Sequence, residues 1–127
     1  MRDFLFVQNG REYIKLPFSE ILYVEALKNY MRIVTTKRKY VIKKTMKEVE
    51  ASLPPDQFCR IHRSYIVSIG AITSFNLTRI YIQELYLPVS KGYRKSLLKQ
   101  ITPFNYNAAQ SQLVQAAAMI VSIGGLI

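Results

Sequence analysis

At 127 residues, half of them hydrophobic, the chain has one domain's length and enough apolar content for a working core, which excludes both a pair of ordinary domains and a disordered basic tail. Eighteen Lys and Arg against eight Asp and Glu leave a formal charge of +10, a field that gathers phosphate polymers or anionic lipid. Cys59 is the only cysteine, which rules out an intramolecular disulfide and a multi-thiolate metal site and fits a reducing, cytoplasmic setting.

Residues 4–7 and 12–16 flank Asn9-Gly10, a pair suited to the positive dihedrals of a type I′ turn, and predict a hairpin. The opening apolar run ends at Gln8 and lacks a small-residue cleavage pattern, so no export signal is expected. Strands are predicted over 21–26 and 31–35, around the polar loop Leu27-Lys28-Asn29-Tyr30, and over 39–43 after the basic turn Thr36-Lys37-Arg38. Thr45-Met46-Lys47-Glu48 has capping-box spacing and starts a helix with the apolar stripe Met46, Val49 and Leu53, which Pro54-Pro55 stops.

Strands resume at Phe58 and are predicted over 65–67, 72–75, 79–82 and 85–89, separated by short polar or glycine turns. Ser90 is the expected cap of a last helix running to about Ile101, with Pro103 just beyond it. The reading is therefore mainly β with two helices, and it contains no internal repeat. From Gln100 to Ile127 there is no charged residue, which divides the chain into a domain over 1–102 and an apolar tail over 103–127. Residues 108–127 reach the length of a bilayer span, but Gln110, Gln112 and Gln115 lower their hydrophobicity, so a docked or self-associating helix is preferred to membrane contact.

The stretch 58–67 places Arg60, His62 and Arg63 inside an apolar strand pattern, where long cations are costly without a partner. Arg60 and Arg63, three apart, would face opposite sides of a regular strand. Residues 28–47 hold eight cations, Lys28, Arg32, Lys37, Arg38, Lys39, Lys43, Lys44 and Lys47, and no acid. Such a run can simply shield strand edges, yet the asymmetry recurs: Lys91, Arg94 and Lys95 share one face of the last helix while Tyr93, Leu97 and Ile101 take another. The free amides of that helix's first turn also suit phosphate.

No H-E-x-x-H, G-x-S-x-G, paired-cysteine or glycine-rich phosphate motif is present, and a lone strand histidine reads first as a hydrogen-bonded structural residue. No enzymatic activity, metal or cofactor is expected. A large anion, nucleic acid first among them, is the indicated partner.

Four motifs in order carry a resemblance: Ile21-Leu22-Tyr23-Val24-Glu25-Ala26, Asn29-Tyr30, the stretch 58–67, and Leu87-Pro88-Val89-Ser90 with Lys91 and Tyr93-Arg94-Lys95. Over residues 4–101 the chain resembles the LytTR domain, the DNA-binding output module of bacterial response regulators of the LytR, AlgR and AgrA type. The resemblance implies an elongated antiparallel multi-sheet β fold with one short helix between sheets and a C-terminal helix. It also implies sequence-specific binding of double-stranded DNA through loops, in transcriptional regulation within a two-component system.

Carried over by position, the contacts fall at Asn29, Tyr30, Met31 and Arg32, at His62 and Arg63, and at Lys91; Lys37, Arg38, Arg60, Arg94 and Lys95 complete the candidate set. Arg63 and Lys91 are the expected groove contacts. The partners implied are tandem or direct-repeat duplex sites, a second copy on DNA, and an upstream receiver domain or sensor kinase. A receiver needs a domain's length and an acidic pocket, so this chain is either a fragment or works without one. Ser68, where the family often has Asn, and the uncharged tail depart from the pattern. Two other readings compete: an RNA-binding β module using the nine tyrosines, though no RNP-like motif is present, and a membrane-associated or self-associating protein acting through the tail.

Overall fold

In the computed structural model, which describes residues 2–105, the chain opens with an antiparallel hairpin of β1 (Phe4–Asn9) and β2 (Glu12–Pro17). Its turn differs from the expected one. Asn9 pairs with Glu12, so Gly10 and Arg11 are the central residues, and of the two only Gly10 takes a positive φ, 67°. A type I′ turn needs positive φ at both centres, whereas glycine at the first centre alone fits type II′.

A short 3₁₀ turn leads to β3 (Ile21–Ala26), β4 (Met31–Thr35) and β5 (Lys39–Ile42), then to α1 (Met46–Ser52), β6 (Phe58–His62) and β7 (Tyr65–Ser68). The five strands form one antiparallel sheet in the order β5-β4-β3-β7-β6. A three-stranded sheet of β8 (Ser74–Phe75), β9 (Arg79–Ile82) and β10 (Leu85–Pro88) follows, and then α2 (Arg94–Gln100). The predicted strand over 72–75 shortens to two residues because a 3₁₀ turn, Ile69–Ala71, carries the chain as far as Ile72.

Period-two alternation sends neighbouring side chains of the five-stranded sheet to different cores. Val24, Ile33, Phe58 and Ile66 join Val7, Leu16 and the α1 stripe on one face; Cys59, Ile61 and Val67 join Ile80, Leu87 and Leu97 on the other. Leu97 has no exposed surface and anchors α2, while Gln100 Nε2 donates to the carbonyls of Pro55 and Phe58 at 2.8 and 3.0 Å. Truncating such a buried leucine to alanine costs about 2–5 kcal/mol.

The capping box is formed: Thr45 Oγ1 accepts from the Glu48 amide at 3.1 Å and Glu48 Oε1 accepts from the Thr45 amide at 3.0 Å. The bond from the Thr45 amide, and then one the Thr45 hydroxyl donates to the same oxygen at 3.1 Å, hold the Glu48 carboxyl below its ordinary value. Ser90, by contrast, caps nothing. Residues 91–93 close as a 3₁₀ turn in which the Tyr93 amide donates to the Ser90 carbonyl at 2.9 Å, so an amide its hydroxyl would cap is already taken. The seven-residue α2 therefore starts only at Arg94, without a side-chain cap.

Among the described residues no helix is long and apolar enough to cross a membrane. The reading of the tail as a docked or self-associating helix falls on residues 106–127, outside those described.

Cys59 is fully buried, and desolvation, with a smaller contribution from Glu50, pushes its thiol up to about 11. At about pH 8, where an ordinary exposed cysteine is partly thiolate, a water-soluble disulfide reagent is expected to leave the folded protein unmodified and to label it once urea unfolds it. Prompt labelling of the folded protein would contradict this packing.

Candidate nucleic-acid interface

Strand register decides which loops meet. Ala26 pairs with Met31 where β3 turns into β4, and Met31 pairs with Ile42 at the end of β5. Glu25 pairs with Tyr65 at the start of β7, and His62 with Tyr65 where β6 turns into it. The loop 27–30, Lys43 with Lys44, and the turn Arg63-Ser64 therefore all leave the same end of the sheet. Backbone bonds tie them down: the Ala26 amide donates to the Ser64 carbonyl at 2.8 Å and the Leu27 amide to the Tyr30 carbonyl at 2.8 Å. The Ser90 amide donates to Ile61 at 2.9 Å, which brings Lys91 to the same end beside β6.

The candidate cations divide by what already holds them. Arg60 is committed inside the protein: Nη1 donates to Glu50 on α1 at 3.0 Å, Nη2 to the Arg63 carbonyl at 2.9 Å and Nε to the His62 carbonyl at 3.3 Å. Its guanidinium also lies 5.7 Å from the Tyr93 ring centroid. One side chain thus joins α1, the β6–β7 turn and the segment carrying Lys91. Arg63 lies in the turn, beyond the strand, so the opposite-face argument for it and Arg60 does not apply; a register shift between Arg60 and His62 further breaks the alternation. Arg63 is exposed, and its guanidinium makes no ion pair or hydrogen bond among the described residues.

His62 Nδ1 accepts from the Ser64 amide at 3.0 Å, and its ring packs 5.5 Å from that of Tyr65. A neutral imidazole accepting at Nδ1 carries its proton on Nε2, which leaves a donor to present outward. The histidine is thus structural at one nitrogen and available at the other.

Arg32 is held by Glu25, through Nε at 3.1 Å and through Nη2. The Tyr65 hydroxyl donates to the other oxygen of the same carboxylate at 3.2 Å; burial first, and then the Glu25 charge, push that hydroxyl's pKa up, so it remains a donor. Met31 is 6% exposed and packs in the core, because it is the first residue of β4 rather than the last of the loop. Its side chain is not offered to a ligand. Asn29 and Tyr30 are exposed at the loop tip.

Lys37 and Arg38 sit at the opposite end of the sheet, in the β4–β5 turn beside Glu20, where Thr35 Oγ1 gathers the amides of both residues. Lys37 Nζ lies 3.6 Å from Glu20, and Arg38 Nε donates to the Tyr40 hydroxyl at 2.7 Å with the guanidinium over its ring. The structure does not bring them to Arg63. It brings Lys43 and Lys44 to the Arg63 end instead, at the β5 edge of the sheet, two residues outside the candidate set, which line one hollow with Asn29 and Tyr30. Lys91 and Lys95 are exposed; Arg94 is half-buried, its Nε buried without a hydrogen bond.

The family model of the LytTr DNA-binding domain matches residues 11–102. An uncharacterised response regulatory protein of Vibrio cholerae is 34% identical over 94 residues, 65% of this chain and 35% of that protein. Sensory transduction protein LytT of Bacillus anthracis is 35% identical over 86 residues (63% and 35%), and transcriptional regulatory protein YpdB of Escherichia coli K12 is 32% identical over 86 residues (62% and 35%). The matched part is thus 35% of the length of each of these relatives. A solved LytTr DNA-binding domain from Bacillus cereus superposes with a TM-score of 0.71 at 25% identity, covering 81% of this chain and 100% of that one.

Replacing Arg60 by methionine keeps the aliphatic stem and removes every polar contact of the guanidinium. Urea unfolding is expected to show a loss of about 1–2 kcal/mol, in the range for charge-assisted bonds partly open to solvent. Unchanged stability would mean that Arg60 does not hold the turn.

Proposed function

The chain belongs to the LytTr DNA-binding domain family, and from that premise we propose that it reads one duplex sequence with the loops gathered at one end of its five-stranded sheet. The exposed, unpartnered Arg63 guanidinium, on a turn whose carbonyls Arg60 holds, is the observation that carries this reading. An arginine so presented can donate two parallel bonds to O6 and N7 of guanine in the major groove, and the fixed turn spares it the entropy of ordering on contact.

Lys91 is the second groove contact. Lys28, Lys43, Lys44 and Lys95, with Asn29, Tyr30 and the Nε2 proton of His62, engage phosphates and set the register on the duplex. Arg32 and Arg60 support the loops from behind, and Lys37 and Arg38 lie away from the DNA. Regulators and response regulators among the relatives support a role in transcription control with a receiver domain upstream. The reading adds two copies aligned on tandem or direct-repeat sites. In this reading residues 1–102 form the DNA-binding unit and the apolar tail a separate element.

Enrichment of one motif from a random duplex pool is the direct test, and failure to enrich any would refute sequence readout. On the enriched site Arg63→Ala is expected to cost about 1–3 kcal/mol while random DNA loses far less; equal losses on both would remove Arg63 from base recognition. With about five phosphates neutralised, log affinity is expected to fall against log salt with a slope of roughly −4 to −5. A flat response would exclude the lysine contacts.

A further inference from the structure

A groove of about 550 Å³ runs between the β1–β2 hairpin, β5 and α1, within the roughly 300–1,000 Å³ of small-molecule sites. Its floor is the closed outer layer of the core, Val7, Val24, Ile33, Val49 and Leu53, each at most 6% exposed, and the half-buried Leu5 and Ile42 open onto it. Along its lip Phe6, Tyr13 and Val41 stand 56%, 68% and 55% exposed, an apolar cluster that folding alone leaves uncovered. The charged groups lie together, Lys43 and Lys44 on the segment joining β5 to α1 and Glu48 in the first turn of α1. Glu48 is already engaged by the capping box and by Lys44 at 3.7 Å, while Lys43 has no partner among the described residues.

We propose that this groove binds a single-chain amphiphile with an anionic head, of the medium-chain fatty-acid type, its hydrocarbon over Phe6, Tyr13 and Val41 and its carboxylate at Lys43 and Lys44. The lysines select an anion over a cation of equal length, and the exposed apolar lip selects a chain over a small inorganic anion. The same two lysines line the neighbouring hollow with Asn29 and Tyr30. A bound carboxylate neutralises charge that, if the proposed DNA interface is right, meets phosphates, so amphiphile and DNA antagonise one another reciprocally.

Decanoate, decyltrimethylammonium and decanol, each below its micelle concentration, are titrated into the full chain with amide chemical shifts followed by NMR. Decanoate is expected to saturate with shifts confined to the groove, and the cation to leave them unmoved. Lys43→Gln with Lys44→Gln is expected to weaken decanoate about tenfold, the loss of one charge-assisted bond, and to leave decanol unchanged. Val41→Glu, at an exposed position that does not threaten the fold, is expected to weaken decanoate by charge repulsion. Equal binding of cation and anion, shifts outside the groove, or no saturable binding would overturn the site. If decanoate fills the groove without lowering affinity for the selected duplex, the antagonism is wrong and the site stands. A chain that binds no duplex refutes the DNA reading and leaves the binding arm intact.

Discussion

Glu25 holds the middle of the five-stranded sheet from both sides, and the arrangement of the loops depends on it. Its carboxylate accepts from Arg32 on β4 and from the Tyr65 hydroxyl on β7, and both residues lie directly across from it in the ladder. A slip of one residue in either pairing would part these groups and turn each core side chain to the wrong face. With the register pinned, Ala26 meets Met31 and Ser64. That junction sets the loop 27–30 beside the turn bearing Arg63, so the half-buried acid at position 25 is what makes a shared basic end.

The cations then take two kinds of work. Arg32 and Arg60 are held inside the fold, and each acts through a neighbour: Arg32 by fixing the register, Arg60 by holding the carbonyls of the turn that presents Arg63. Arg63, Lys43 and Lys91 stay exposed and free to meet an anion. A positive net charge would attract a polyanion in any case. What the fold adds is the separation of cations held by partners inside the protein from cations left exposed, together with the placement of Lys37 and Arg38 at the far end.

Much of this is legible in the sequence, for local reasons. The strands Ile21–Ala26, Met31–Thr35 and Arg79–Ile82 follow from alternation bounded by polar turns, and the Thr45 capping box forms from groups three residues apart. What the sequence hides depends on distant partners. Nothing near Arg60 announces Glu50 on α1 as its anchor, nor does the sequence near Arg32 mark Glu25, seven positions earlier, as its partner across the sheet. Met31 belongs to its strand rather than to the loop 27–30, and the 3₁₀ turn after Ser90 pre-empts the cap that its residue type suggests.

Strand length carries one further signal: a four-residue strand rises about 13 Å, so cations before and after β5 must emerge at opposite ends. Length alone therefore separates Lys37 and Arg38 from Lys43 and Lys44. The two ends are also where an interface confined to one of them is most directly tested. The salt dependence of binding to the selected duplex, measured for Lys43→Gln with Lys44→Gln and for Lys37→Gln with Arg38→Gln, compares them directly. The first pair is expected to flatten the slope by about two units and the second to leave it unchanged, since each phosphate contact contributes about 0.9; equal flattening by both pairs, or flattening by the second alone, would contradict an interface confined to the Arg63 end.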